Sequence, residues 1–171
     1  MRWLIDGYNV IRRDPDLRAR EAESLAAGRA ALLHLVARVA RESGDDFTVV
    51  FDGARPSGGT PSGGESGARV QVIFSRPPQK ADDVLMKLAA QWREGAILVS
   101  SDRTIQDAAR RAGGAVLAAD EFLAGLESPE GEAGVKDDDE PDRGRSKRGN
   151  PRRLSKAARA AQRALRRLRP R

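Results

Sequence analysis

The chain has 171 residues with no Cys, Lys+Arg 31 against Asp+Glu 25, 39 % apolar and 4 % aromatic residues, which suits one soluble domain plus a poorly packed remainder. Without Cys, a disulfide scaffold, a Cys-based zinc site and a thiol nucleophile are excluded. The opening MRWLIDGYNV meets a charge and a Gly after its short apolar run, and no window approaches the roughly 18 consecutive apolar residues of a membrane span, so a cytoplasmic protein without a membrane partner is expected.

Short apolar runs alternate with longer helical patterns along residues 1–126. Trp3 to Ile5 reads as a strand, and Asp16 to Arg41 as one helix with Leu25, Leu32, Leu33, Val36 and Val39 at spacings near 3 to 4. Phe47 to Phe51 and Val70 to Phe74 read as further strands, separated by GARPSGGTPSGGESGAR, whose six glycines and two prolines exclude a packed helix. Asp82 to Arg93 forms a helix packing Val84, Leu85, Leu88 and Trp92, followed by a strand from Ile97 to Ser100. A helix from Arg103 to Ala112, a strand from Ala115 to Leu117 and a short helix from Asp120 to Leu126 complete the pattern. Strands separated by helices predict a mainly parallel sheet of about five strands with helices on both faces.

The charge divides sharply along the chain. Residues 1–126 carry 17 bases and 17 acids, 127–142 eight acids and one Lys, and 143–171 thirteen bases and no acid. With almost no apolar residue, 127–153 is expected to be a disordered linker, acidic and then basic, leaving a domain that ends near Leu126. Residues 154–171 are expected to be a basic tail able to form a helix with Leu154, Ala158, Ala161, Leu165 and Leu168 on one side. Arg152, Arg153, Arg163, Arg166 and Arg167 are candidates to bind RNA phosphates; the alternative is a solvated tail.

Parallel strands share a carboxyl edge, so residues just beyond their ends meet in space. Asp6, Asp52 and Asp102 each follow a proposed strand, and the helix opening at Asp82 and Asp83 runs antiparallel to the strand after it, which brings its start to the same edge. Singly, these acids suit turns and helix caps. Together they would repel unless a cation neutralised them, and an all-oxygen donor set suits Mg²⁺ or Mn²⁺. Asn9 either joins that shell or ties down its loop. Tyr8 either stacks on a base or packs beneath the first helix. Arg55 and Arg69, bounding the Gly-rich loop, are expected to close on an RNA backbone, and Arg103 either contacts a phosphate, stays exposed or caps its helix.

Other chemistries lack their residues. His34 is the only His, which excludes a two-histidine ribonuclease, and no GxxxxGK[ST] or GxSxG motif is present.

DGYN at 6–9, VVFDG at 49–53, KADDVL at 80–85 and VSSDR at 99–103, in that order, resemble the NYN-domain ribonucleases of the PIN-like nuclease group, most closely their YacP-like bacterial branch. The resemblance implies a PIN-like three-layer α/β/α fold and endonucleolytic cleavage of RNA with a divalent metal, in RNA decay or processing, with mRNA or ribosome-associated RNA as the expected partner. It implies Asp6, Asp82 and Asp102 as catalytic residues, joined by Asp52 in holding Mg²⁺ or Mn²⁺, and matches Asn9 to the first motif. Asp83 occupies a position where that branch often has a small hydroxyl residue, and is either auxiliary or a helix cap. Two other functions stay open: an RNA-binding or ribosome-associated module that no longer turns over substrate, and a metal-dependent phosphotransferase on a similar sheet.

Overall fold

The computed structural model describes residues 1–53, 69–127 and 156–168. Five strands, β1 (Arg2–Asp6), β2 (Asp46–Phe51), β3 (Val70–Phe74), β4 (Ala96–Val99) and β5 (Ala115–Leu117), form one sheet in the order β3-β2-β1-β4-β5. Every pairing is parallel, with Trp3 opposite Phe47 and Ile97, and Val99 opposite Leu117. The chain builds outward from β1 to β3, then returns to the other side of β1 for β4 and β5. The order therefore reverses between β1 and β4, and a crevice opens at the carboxyl ends of strands at such a point.

Helices cover both faces, giving the expected three layers. On one side α4 (Ala81–Trp92) and α5 (Arg103–Arg111) pack Leu85, Ala89, Ile105 and Ala109 against Leu4, Val50 and Leu98. On the other, α1 (Gly7–Arg13), α2 (Pro15–Glu23), α3 (Leu25–Ser43), α6 (Ala119–Glu127) and α7 (Lys156–Leu168) share a core with Trp3, Ile5, Phe47, Val49 and Val99. Trp3 stacks on Phe47 with ring centroids 5.9 Å apart and an 8° interplanar angle, and touches Phe122 at 5.8 Å. Its indole N–H donates to Asp45 at 2.9 Å, which satisfies the polar end of an otherwise buried ring.

Three expectations change. The single helix expected from Asp16 to Arg41 is two: α2 ends at Ser24, an extended residue with φ −167° whose hydroxyl accepts from Ala27 N at 3.0 Å and starts α3. Asp14 caps α2 in the same way, with Pro15 in the first turn. Between β1 and α2 lies α1, which the Gly7 and Asn9 turn chemistry concealed.

The third change concerns the domain boundary, because burial does not end near Leu126. Helix α7 lies on β5, α6 and α3 with Ala161, Ala164 and Leu168 buried, and Leu165 packs against the same core. A Cβ on Gly125 would stand 2.5 Å from a Leu165 methyl, so any larger residue there would have to displace the Leu165 side chain where the two helices meet. The basic segment is thus part of the packed fold, and its Arg159, Arg163, Arg166 and Arg167 face outward. The linker expected over 127–153 lies, beyond residue 127, outside the described residues, as do Leu154, Arg152 and Arg153.

Candidate active site

Asp6 closes β1 and caps α1. Its Oδ1 accepts from Asn9 N at 3.3 Å and its Oδ2 from the Ser100 hydroxyl at 2.9 Å. Only 9 % exposed, its carboxyl is pushed up to about 6, chiefly by burial and further by the negative charges of Asp82 and Asp102, with the Ser100 and Asn9 hydrogen bonds pulling the other way.

Ser100 also accepts from Asp102 N at 3.1 Å, so one hydroxyl joins the ends of β1 and β4. Asp102 caps α5 through Oδ1, which accepts from Thr104 N at 2.7 Å and Ile105 N at 3.3 Å. Asn9 Oδ1 accepts from Ser101 N at 2.8 Å, so of its two expected roles the loop tie is the one its oxygen performs.

Asp52, just beyond β2, takes its bonds on Oδ1, from the Ser75 hydroxyl at 2.7 Å and from Ala81 N at 3.4 Å. The Ser75 bond, aided by Ala81, Gly53 and Lys80, holds this carboxyl below its ordinary value. At the start of α4 the two acids divide their work. Asp83 Oδ2 accepts from Lys80 N at 3.0 Å and caps the helix, while Asp82 lines the cleft. Partial desolvation, then the charges of Asp102 and Asp52, raise the Asp82 carboxyl.

Asp6, Asp52, Asp82 and Asp102 therefore line one cleft of about 390 Å³, together with Tyr8, Asn9, Arg12 and Arg13. Among the described residues no three acids stand close enough together to share one ion directly. Asp6, Asp52 and Asp102 are each anchored instead by a backbone or hydroxyl partner at the carboxyl edge.

The expected cations are placed differently. Arg103 is exposed at the start of α5 and is not part of the cleft lining. Arg69 precedes β3 and so lies at the amino edge of the sheet, where its guanidinium meets Asp46 at 3.2 Å. It cannot close over a site at the opposite edge. Arg55 lies outside the described residues. Arg12 and Arg13, at the end of α1, are the cations the cleft does contain, and Arg13 also meets Asp120 at 3.5 Å. They escaped the sequence reading with α1 itself; their place nearly two helical turns after Asp6 was the available signal.

The family model of the YacP-like NYN domain matches residues 3–167, from β1 to the last turn of α7. The chain belongs to that family. It is similar to the curated protein YacP of Bacillus subtilis (strain 168), described as uncharacterized, with 34 % identity over 86 residues, 50 % of this chain and 49 % of YacP. The aligned part thus spans about half the length of that relative. It is also similar to the crystal structures of Rae1 (YacP) from Bacillus subtilis, at 30 % identity and a TM-score of 0.60 for one and 29 % and 0.59 for a point mutant, covering 72 % of each chain. NYN domains are a PIN-like nuclease family, which supports a ribonuclease.

Proposed function

We propose that this NYN domain is an endoribonuclease that depends on a divalent metal, Mg²⁺ or Mn²⁺, and cleaves within mRNA or ribosome-associated RNA. The observation that carries this reading is the meeting of Asp6, Asp52, Asp82 and Asp102 in one cleft at the point where the strand order reverses. The donors are all oxygen, as a hard cation requires. Because no three of these acids stand close enough to ligate one ion together among the described residues, the reading calls for an ion such as Mg²⁺, which commonly takes one or two carboxylates and completes its shell with water and phosphate oxygens.

In this reading one or two of Asp6, Asp82 and Asp102 would ligate the ion directly and the others, with Asp52, would hold it through its water shell; when bound it would supply an activated water and neutralise charge developing on the phosphate. Asp6 needs Ser100 and Asn9 to stay oriented once ionised, Asp102 is fixed by its cap on α5, and Asp52 by Ser75. Arg12 and Arg13 provide positive charge inside an otherwise acidic cleft. The outward Arg163, Arg166 and Arg167 of α7 give the polyanion a second, non-specific contact.

Incubating the full chain with a long RNA across a Mg²⁺ titration, beside a generic phosphate ester, tests the reading. Internal RNA cuts that rise with Mg²⁺ support it. RNA bound but left intact points to a binding module, and hydrolysis of the small ester alone to a phosphotransferase.

A further inference from the structure

Tyr8 is one of two residues between Asp6 and Asn9, so whatever its ring holds stands beside the acids. The ring meets Phe51 edge-on, with centroids 5.3 Å apart at 66°, and remains half-buried in the cleft lining. Phe51 stacks in turn on Phe74 at 5.7 Å, so Tyr8 ends a row of three rings reaching across β2 to β3. Its packing against this row fixes the ring without enclosing it. The Arg12 guanidinium lies over the ring, 5.7 Å from the centroid. Its other partner is weak: Glu21 stands 4.0 Å from Nε, and the Arg12 side chain is 68 % exposed.

We infer that Tyr8 and Arg12 form the seat for one unpaired nucleotide beside the acidic cleft, the phenol ring stacking on its base and the guanidinium binding its phosphate. This rests on the ribonuclease reading and adds the residues that grip the strand. A phosphate offers Arg12 charge-assisted, bidentate hydrogen bonds that neither the Tyr8 ring nor a carboxylate at 4.0 Å supplies, so the guanidinium leaves the ring when a strand enters. The exposed π-face then accepts any base, since stacking is tolerant of sequence. A base paired in a duplex cannot reach it. Tyr8 therefore selects for unpaired RNA, and Arg12 sets where the backbone lies relative to Asp6 and Asp82.

The test uses the full chain carrying D82N, with binding of a short single-stranded RNA measured at several salt concentrations and a gel of the same samples showing the RNA intact. Adding Y8L, which keeps an apolar side chain against Phe51, should weaken binding by about tenfold, within the range for loss of one stacked base. Y8F should restore it. An abasic residue at the seated position should cost the same tenfold with Tyr8 present and almost nothing with Leu there, a coupling that a purely structural role would not produce. R12A should lower the slope of log affinity against log salt by about 0.7, one single-strand phosphate contact. Affinity unchanged in both Y8L and R12A would overturn the inference and leave the ribonuclease reading standing. If the D82N parent bound no RNA even at low salt, both would fall.

Discussion

The Ser100 hydroxyl donates to Asp6 Oδ2 at 2.9 Å and accepts from Asp102 N at 3.1 Å, so a single side chain holds the most buried acid of the cleft and the turn that carries another. The Ser100 carbonyl accepts from Gln106 Nε2 at 2.6 Å, and Ser100 itself is fully buried. A charged Asp6 therefore has a fixed donor at one oxygen and Asn9 N at the other, and burial remains the larger influence on its ionisation.

Replacing Ser100 by Ala removes the donor and leaves an ionised, buried carboxylate with one partner fewer. The expected loss is about 1.5–3 kcal/mol above pH 7, the range for a hydrogen bond to a charged group. Below pH 5, where Asp6 is protonated, the loss should be smaller. Unfolding by urea at pH 4.5 and 7.5 measures both, and equal losses at the two pH values would contradict the assigned bond.

The raised Asp6 carboxyl also fixes a sign. Below its ordinary value of 3.8 both folded and unfolded chains carry the proton, and above about 6 both have lost it, so between these limits the folded state binds more protons. Stability of the metal-free protein should fall as pH rises through that window, by up to ~3 kcal/mol from this group. D6N removes the contribution and should be at least as stable as the parent at pH 7.5. A parent whose stability rises from pH 4.5 to 7.5 while that of D6N stays flat would reverse the sign.

Gly7 is the next residue after Asp6, and a Cβ there would stand 2.3 Å from Phe51 Cε1, inside the ring that supports Tyr8 and precedes Asp52. G7A should cost about 1–3 kcal/mol through overpacking. Because the displaced ring adjoins Asp52 in sequence, cleavage should fall by more than the unfolded fraction explains. Thermal unfolding beside activity per folded molecule separates the two effects.

The face of α7 makes separable predictions. Leu168 is 1 % exposed, so L168A should destabilise the whole domain by about 2–5 kcal/mol. Changing Arg163, Arg166 and Arg167 together to Ala should leave stability within about 0.5 kcal/mol and reduce the salt dependence of RNA binding. A chain without 127–171, which a domain ending near Leu126 would tolerate, should not fold stably, because Ala161, Ala164 and Leu168 belong to the core. Circular dichroism of the truncated chain checks this.

The strands were legible because a parallel sheet covered on both faces needs nearly continuous apolar runs, and segments such as FTVVF at Phe47–Phe51 supply them. The acids were legible for a related reason: parallel topology alone brings Asp6, Asp52 and Asp102 to one edge. The same logic places Arg69, just before β3, at the other edge, away from the RNA contact expected of it beside Arg55. Docking of α7 was hidden because Ala161 and Ala164, which bury it, carry little hydrophobic signal beside its many Arg. Ser75 and Ser100 were hidden because a serine's role depends on which carboxylate the fold sets opposite it.

The most direct test is single-turnover cleavage of an end-labelled RNA by the full chain and by its D82N variant, across Mn²⁺ concentrations and in excess chelator. Asp82 lines the cleft, whereas the neighbouring Asp83 caps α4, so D82N spares the helix start. The parent should cut internally at a rate that saturates with Mn²⁺ and vanishes in chelator. D82N should be at least about a hundredfold slower, as for loss of a group that orients a catalytic metal. Full cleavage in chelator, or a D82N variant as fast as the parent, would contradict a carboxylate-held metal as the source of activity.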